Sequence, residues 1–244
     1  MSLAGHGVVV TRPRELAGTF AQLLERRGAR VLIFPAIEIQ PLPPPAELGR
    51  LADFDLVIFV SPSAVRVALS GLAWPRGLAV AAIGSGTKRE LERAGIAPVI
   101  APAAGADSEA LLAAPDMQRV AGKRMLIVRG DGGRELLGDS LAARGARVAY
   151  AQCYRRVRPA IDTAPLLAAW RRGEVDAVTV LSAQALDNFI DMTGGALAAA
   201  TPHFVPHPRV AGHAESRGVR EIVIAAPGDD AMIERLVAYF DERD

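Results

Sequence analysis

The chain has 244 residues, 28 basic and 27 acidic, and a formal net charge of +1, with half of its residues apolar and only 5% aromatic. That length supports one large or two modest domains with a substantial core. The balanced charge, the lack of a basic stripe and the scarcity of stacking rings exclude nucleic acid as the expected partner. One cysteine, Cys153, excludes an internal disulfide. No apolar run approaches the ~18 residues of a membrane span, and the start has no leader-like segment, so a soluble cytoplasmic chain without a membrane partner is expected.

Taken in order, Val8–Val10 is a short buried strand ended by Thr11-Arg12-Pro13, with Pro13 suited to a first helical turn. Leu16, Phe20, Leu23 and Leu24 share a helical face, Gly28 stops that helix, and Val31–Phe34 is the next strand. Ala36–Gln40 alternates as an extended segment and leads into Pro41, Pro43, Pro44 and Pro45, a stiff linker. A short helix carries Leu48 and Leu51. Asp55–Val60 is a near-continuous apolar run, as expected of a strand covered on both faces, and Ser61-Pro62-Ser63-Ala64 is its exit into a helix. Ala79–Ile83 opens into Gly84-Ser85-Gly86-Thr87 and a helix through Leu91. Pro98–Ala101 is a strand, and a helix begins at Ser108 with Asp107 or Ser108 as cap.

Met125–Arg129 is an apolar strand that stops at an arginine, followed by Gly130-Asp131-Gly132-Gly133 and a helix through Leu137 and Leu141. Ligands of α/β sheets sit beyond the carboxyl ends of the strands, so Arg129 is expected to face one. Gly130, Gly132 and Gly133 would free the backbone for positive φ and close approach. A strand from Val148 runs through Cys153-Tyr154-Arg155-Arg156. After it come a helix at Leu166–Trp170, a strand at Asp176–Leu181 ending in Ser182-Ala183, a strand and turn over Pro206–Gly212, a short helix closed by Gly218, a strand at Ile222–Ala225 and a last helix. Asp229-Asp230 reads as that helix's cap.

The pattern repeats. Arg27-Gly28-Ala29-Arg30-Val31 returns as Arg144-Gly145-Ala146-Arg147-Val148 at the offset that separates Arg12 from Arg129. Asp55 precedes Ser61 by the interval that separates Asp176 from Ser182. A repeat this long predicts a duplicated α/β half, and alternating strands and helices predict parallel sheets. Two such lobes leave a cleft, the usual place for a small-molecule site.

Several of these stretches bring a family with them. Thr11-Arg12-Pro13, Phe59–Val65, Ile83–Thr87, Ser108–Leu112, Arg129–Glu135, Cys153–Arg156 and His207–Ala211 occur in the order in which uroporphyrinogen-III synthases carry such segments. The chain resembles that family over almost its whole length. The resemblance implies an α/β fold of two Rossmann-like or flavodoxin-like parallel-sheet lobes joined by a two-stranded β hinge. Residues 1–35 with 158–244 would form one lobe, 41–151 the other, and 36–40 with 152–157 the hinge. It implies a linear tetrapyrrole as the small-molecule partner, closed into a ring with loss of the terminal hydroxyl and inversion of the last pyrrole through a spiro intermediate. No metal or organic cofactor is implied. A transient contact with the preceding biosynthetic enzyme and a monomeric state complete the expectation.

Such a polyacid calls for anion-binding donors more than for strong acids and bases, and backbone N–H groups at helix starts supply them. The candidates are Thr11, Arg12, Pro13, Ser61, Ser63, Ser85, Gly86, Thr87, Arg129, Gly130, Ser182 and Ala183. Read without the resemblance, Ser61, Ser182 and Gly84–Thr87 are helix-start caps and turns. By resemblance Tyr154 aligns with the family's hinge tyrosine, whose phenol would hydrogen-bond the departing hydroxyl. By its residues alone it is a packed tyrosine. His203, His207 and His213 lack the cysteine or carboxylate company of a metal site, and Cys153 reads as a small buried side chain. The family often has a Thr-containing turn where this chain has Ala211-Gly212-His213-Ala214. Two other readings compete: a two-lobed non-catalytic binding or sensor protein for an anionic small molecule, and a nucleotide-sugar transferase. Against the second stands the lack of a Gly-x-Gly-x-x-Gly fingerprint followed by an acidic residue.

Overall fold

In the computed structural model, which describes residues 2–243, the chain divides into two compact units, residues 2–38 with 157–243 and residues 39–156. The first unit opens with β1 (Gly7–Val10), α1 (Arg14–Arg26) and β2 (Arg30–Ile33). The chain passes into the second unit along β3 (Glu38–Pro41). A kinked 3-10 segment (Ala46–Asp53), β4 (Leu56–Phe59), α2 (Pro62–Ala68), β5 (Ala79–Ala82), α3 (Ser85–Arg93) and β6 (Val99–Ile100) follow. Then come α4 (Ser108–Ala113), a 3-10 turn (Pro115–Met117), β7 (Arg124–Gly130), α5 (Leu136–Ala143) and β8 (Arg147–Val157). The return to the first unit adds α6 (Ala164–Arg171), β9 (Ala177–Thr179), α7 (Ala183–Thr193), α8 (Ala196–Ala200), β10 (His203–Val205), α9 (Pro208–Ser216), β11 (Ile222–Ile224) and α10 (Asp229–Asp241).

Each unit holds one sheet. The first has the order β11-β10-β9-β1-β2, and the second β3-β8-β7-β4-β5-β6. All the pairs from β2 to β11 in the first, and from β8 to β6 in the second, are parallel. Within the first unit this is the flavodoxin-like order 2-1-3-4-5, whose switch point lies between β1 and β9. The second sheet sets its strands side by side in the same way but in a permuted chain order, 3-2-1-4-5 counted from β4, with the switch point between β7 and β4 and with β3 added at the edge.

The central strands β1, β9 and β10 of one sheet and β4 and β7 of the other are covered on both faces, which is why they read as continuous apolar runs. Leu56 and Ile58 of β4 pack with Met125, Ile127, Leu111 and Leu141, while Val57 and Phe59 point the other way, into the cluster of Val65, Leu91 and Val128. In the first unit Ala17, Phe20 and Leu24 form the buried stripe of α1 and meet α10 through Leu236 and Phe240. One detail occurs in both units. Asp55, just ahead of β4, accepts the Arg124 N–H of β7 at 2.7 Å and donates its own N–H to the Arg124 carbonyl at 2.8 Å. Asp176, just ahead of β9, makes the same two bonds to Gly7 of β1, at 2.7 and 2.8 Å.

Four expectations need correction. Pro206–Gly212 is not a strand: the strand is His203–Val205, and Pro208 opens α9, where its missing N–H costs nothing. β7 does not stop at Arg129 but continues through Gly130. Pro13 stands at the N-cap of α1, with ψ 140°, ahead of the first turn. The N-cap of α10 is Gly228, so Asp229 and Asp230 are its first residues and not its cap.

His203 is fully buried in the first unit, with Nδ1 2.9 Å from the Thr201 carbonyl and Nε2 without a partner among the described residues. A carbonyl only accepts, so Nδ1 carries the proton and Nε2 is a bare acceptor. Burial pushes the imidazole down from its ordinary 6.5 to about 4. The unfolded chain therefore takes up this proton below pH 6.5 while the folded chain refuses it until about pH 4. Stability is complete above pH 6.5 and falls with pH, by about 3 kcal/mol at pH 4 from this group. His203→Leu is expected to flatten the drop in urea midpoint between pH 7 and pH 4. An unchanged drop would place the acid sensitivity elsewhere.

Candidate functional site

In the second unit the carboxyl ends of β4, β7 and β8 bring three predicted residues together. Ser61 follows β4 as the N-cap of α2, its hydroxyl accepting the Ala64 N–H at 3.0 Å. The same oxygen lies 2.9 Å from the Tyr154 phenol. Tyr154 reaches it because of a bulge: Arg129 pairs with Gln152, but Gly130 pairs with Tyr154, so Cys153 is skipped. A bulge re-aims the side chain beside it, and here the tyrosine ring lies flat on Gly130. A Cβ at Gly130 would stand 2.7 Å from two ring carbons. Gly130 is thus needed for close approach and not for positive φ, which belongs to Gly132 (+71°) and Gly133 (+115°).

Arg156, two residues on and on the same strand face, donates from Nη2 to the Tyr154 oxygen at 3.3 Å. Proton accounting then has one outcome. If Tyr154 donates to Ser61, the Ser61 proton is left over; if Ser61 donates, the Tyr154 proton is. Either way the pair retains one hydroxyl hydrogen for a third group.

The other candidates of this unit are arranged differently. Ser63 is buried in the first turn of α2. Gly86 lies beside Pro62, where a Cβ would make ordinary contact at 3.8 Å. Ser85 is exposed as the first residue of α3, Thr87 is buried, and the cap position is Gly84. Arg129 does not face open solvent. It is 8% exposed, its guanidinium lies 4.1 Å over the Tyr150 ring, and Nη2 donates to Glu135 Oε1 at 2.8 Å.

In the first unit Thr11 is spent structurally: its hydroxyl donates to the Thr179 carbonyl at 2.8 Å, while Thr179 donates to that of Val9 at 3.0 Å. Arg12 donates from Nη2 to Asp229 at 2.7 Å and lies 4.0 Å over the Phe20 ring. Ser182 caps α7 through the Ala185 N–H at 3.2 Å, and Ala183 is the helix's first residue. The three histidines are committed separately: His203 to the core, His207 to capping α9, and His213 to Asp187 at 2.9 Å. Among the described residues no three metal-type ligands converge.

Reading the sequence missed Glu135, Tyr150 and Asp229, the partners of the two strand-end arginines, and the part played by Arg156. For Arg156 the signal was available, since residues 154 and 156 of a strand share a face. A recess of about 430 Å³ in the second unit, lined by Leu42, Pro44, Leu48, Val67, Leu72 and Cys153 among others, lies apart from these donors. It is apolar and carries no cation. Burial pushes the Cys153 thiol up to about 11, so it stays protonated.

Comparison with known proteins agrees with this architecture. A sequence profile of the family described as uroporphyrinogen-III synthase HemD matches residues 18–234. The uroporphyrinogen-III synthase of Escherichia coli K12 is 38% identical over 188 residues, 73% of this chain and 76% of that protein. Two solved structures share the fold. The uroporphyrinogen-III synthetase of Helicobacter pylori gives a TM-score of 0.63 at 14% identity, covering 96% of this chain and 99% of that one. A mutant uroporphyrinogen III synthase of Thermus thermophilus gives 0.59 at 23%, covering 97% and 99%. With a profile match across most of its length and a relative this similar, the chain belongs to the uroporphyrinogen-III synthase family.

Proposed function

We propose that this chain closes hydroxymethylbilane into uroporphyrinogen III, with loss of water and inversion of the terminal pyrrole, as a cyclising carbon–oxygen lyase. The observation that carries the reading is the family match over residues 18–234. The geometry supplies a rationale for the chemistry. The substrate's terminal C–O bond breaks, the electron pair leaves with oxygen, and a proton must meet it there. The Ser61–Tyr154 pair, with its one uncommitted hydroxyl hydrogen, is the donor we assign to that departing oxygen.

The same substrate closes unaided to the uninverted isomer, so the protein must choose a path by holding the chain ends in one geometry. We assign that task to donors beyond the carboxyl ends of the strands: the starts of α2 and α5 at the switch point and of α3 next to it in one unit, and of α1 and α7 in the other. The two units are, in this reading, duplicated halves. The matching side-by-side arrangement of the strands, permuted in chain order, the paired Asp55 and Asp176 contacts, and the paired Ser61 and Ser182 caps support it. Residues 36–40 and 152–157 would be the crossings that join them as hinge strands, and the chain would work as a cytoplasmic monomer.

The test is to incubate the purified protein with freshly made hydroxymethylbilane and separate the product isomers. Uroporphyrinogen III in excess of spontaneous closure is the expected result. An isomer ratio equal to the protein-free control would end this reading.

A further inference from the structure

Arg129 is a buried cation used at half capacity. A guanidinium presents its N–H groups as a fork that matches a carboxylate two at a time. Here Glu135 takes only Nη2, and the N–H groups on Nε and Nη1 are buried with no acceptor among the described residues. Buried donors are almost always satisfied, so those left over call for a physical reason.

The surroundings are built to hold the cation in place. The Tyr150 ring lies beneath it at 4.1 Å. Burial and the neighbouring Glu135 push the Tyr150 phenol up to about 12, so it stays a donor to that carboxylate. Gly138 leaves the room in which the Tyr150 hydroxyl sits, since a Cβ there would collide with it. Glu135 is held much less firmly. Its side chain is 52% exposed, against 10% for Arg129, and it follows the turn with positive φ at Gly132 and Gly133. Arg129 and the Tyr150 hydroxyl hold its carboxyl below the usual range, so it is ionised at neutral pH. The corresponding arginine of the first unit lacks that contrast, because Asp229 is only 16% exposed beside Arg12 at 12%.

We propose that Arg129 is a seat for a substrate carboxylate and that Glu135 is a built-in carboxylate plug which the substrate displaces. This rests on the polyacid reading of the site. A buried cation beside an exposed internal acid that takes only one of its three nitrogens is the arrangement in which an incoming carboxylate gains a second N–H bond that Glu135 does not make. Swinging Glu135 outward on its glycine turn exposes the fork without moving Arg129 or Tyr150.

The test uses direct binding of uroporphyrin III, a stable polycarboxylate, followed by its fluorescence, so turnover is not required. Glu135→Gln keeps the size and the contact with Tyr150 but removes the competing charge. It is expected to tighten the Kd about three- to tenfold, while Arg129→Lys weakens it at least about tenfold. On the Arg129→Lys background, Glu135→Gln should bring no gain. An unchanged or weaker Kd for Glu135→Gln would overturn the proposal. So would an equal gain on the Arg129→Lys background, which would mean that only net charge matters. Thermal melting of each variant separates these results from misfolding. The isomer assay on the unaltered protein is independent, so loss of the plug leaves the synthase reading standing, and the reverse.

Discussion

Gly130→Ala is expected to lower stability by about 1–3 kcal/mol and to remove most of the activity at once. The added methyl would stand 2.7 Å from two carbons of the Tyr154 ring, and that ring is 1% exposed, with no free space to retreat into. Overpacking of this kind forces backbone or rotamer shifts of that cost. The Tyr154 oxygen moves with its ring, so the 2.9 Å contact with Ser61 breaks and the proton donor proposed for the departing oxygen is lost. Gly132→Ala is the control. It sits at φ +71° with open space around the position, so its cost is backbone strain alone, about 1 kcal/mol. Thermal melts and turnover of both variants check the contrast: equal loss of activity in the two would mean that the glycine turn, and not the tyrosine, limits the reaction.

Much of the fold was legible because each unit's sheet is buried on both faces. Val57, Ile58 and Phe59, or Leu126, Ile127 and Val128, are strands in any context that covers both sides. The matched Asp-to-Ser spacing has a physical counterpart: Asp55 and Asp176 each tie the start of one strand to its neighbour, and Ser61 and Ser182 each cap the helix that follows.

What escaped was whatever depends on one residue more or less in a ladder. Nothing in Cys153-Tyr154 announces the bulge that turns the phenol toward Ser61. The arginines were placed correctly at strand ends but given only a ligand as partner, because the acids that hold them, Glu135 and Asp229, come from helix starts whose position depends on tertiary packing. Two helices were read only in part though their extent had local signals. Ser182 was read as a cap, and Ala185, Leu186, Phe189 and Ile190 carry the helical spacing of α7; the helix closed by Gly218 opens at His207-Pro208, a cap followed by proline at a first turn.

Tyr154→Phe and Ser61→Ala, separately and together, test the chemistry assigned to the pair. Each hydroxyl can serve as the donor only while the other orients it and Arg156 supports the phenol at 3.3 Å. A positioned proton donor contributes about 10²- to 10⁴-fold, so either change should lower kcat by at least about 10²-fold. Stability should fall much less, by about 1 kcal/mol for a lost hydrogen bond; Ser61→Ala adds the loss of its cap to Ala64, a further ~1 kcal/mol. Because the two hydroxyls act as one donor, the double variant should be no slower than the slower single, whereas independent roles would multiply. The isomer ratio adds a second readout. If the pair serves the departing hydroxyl alone, the slow residual product remains the inverted isomer, since the grip on the carboxylates proposed for the helix starts is left intact. Full turnover in Tyr154→Phe would reduce the phenol to a packing element on Gly130 and leave departure of the hydroxyl to the substrate itself.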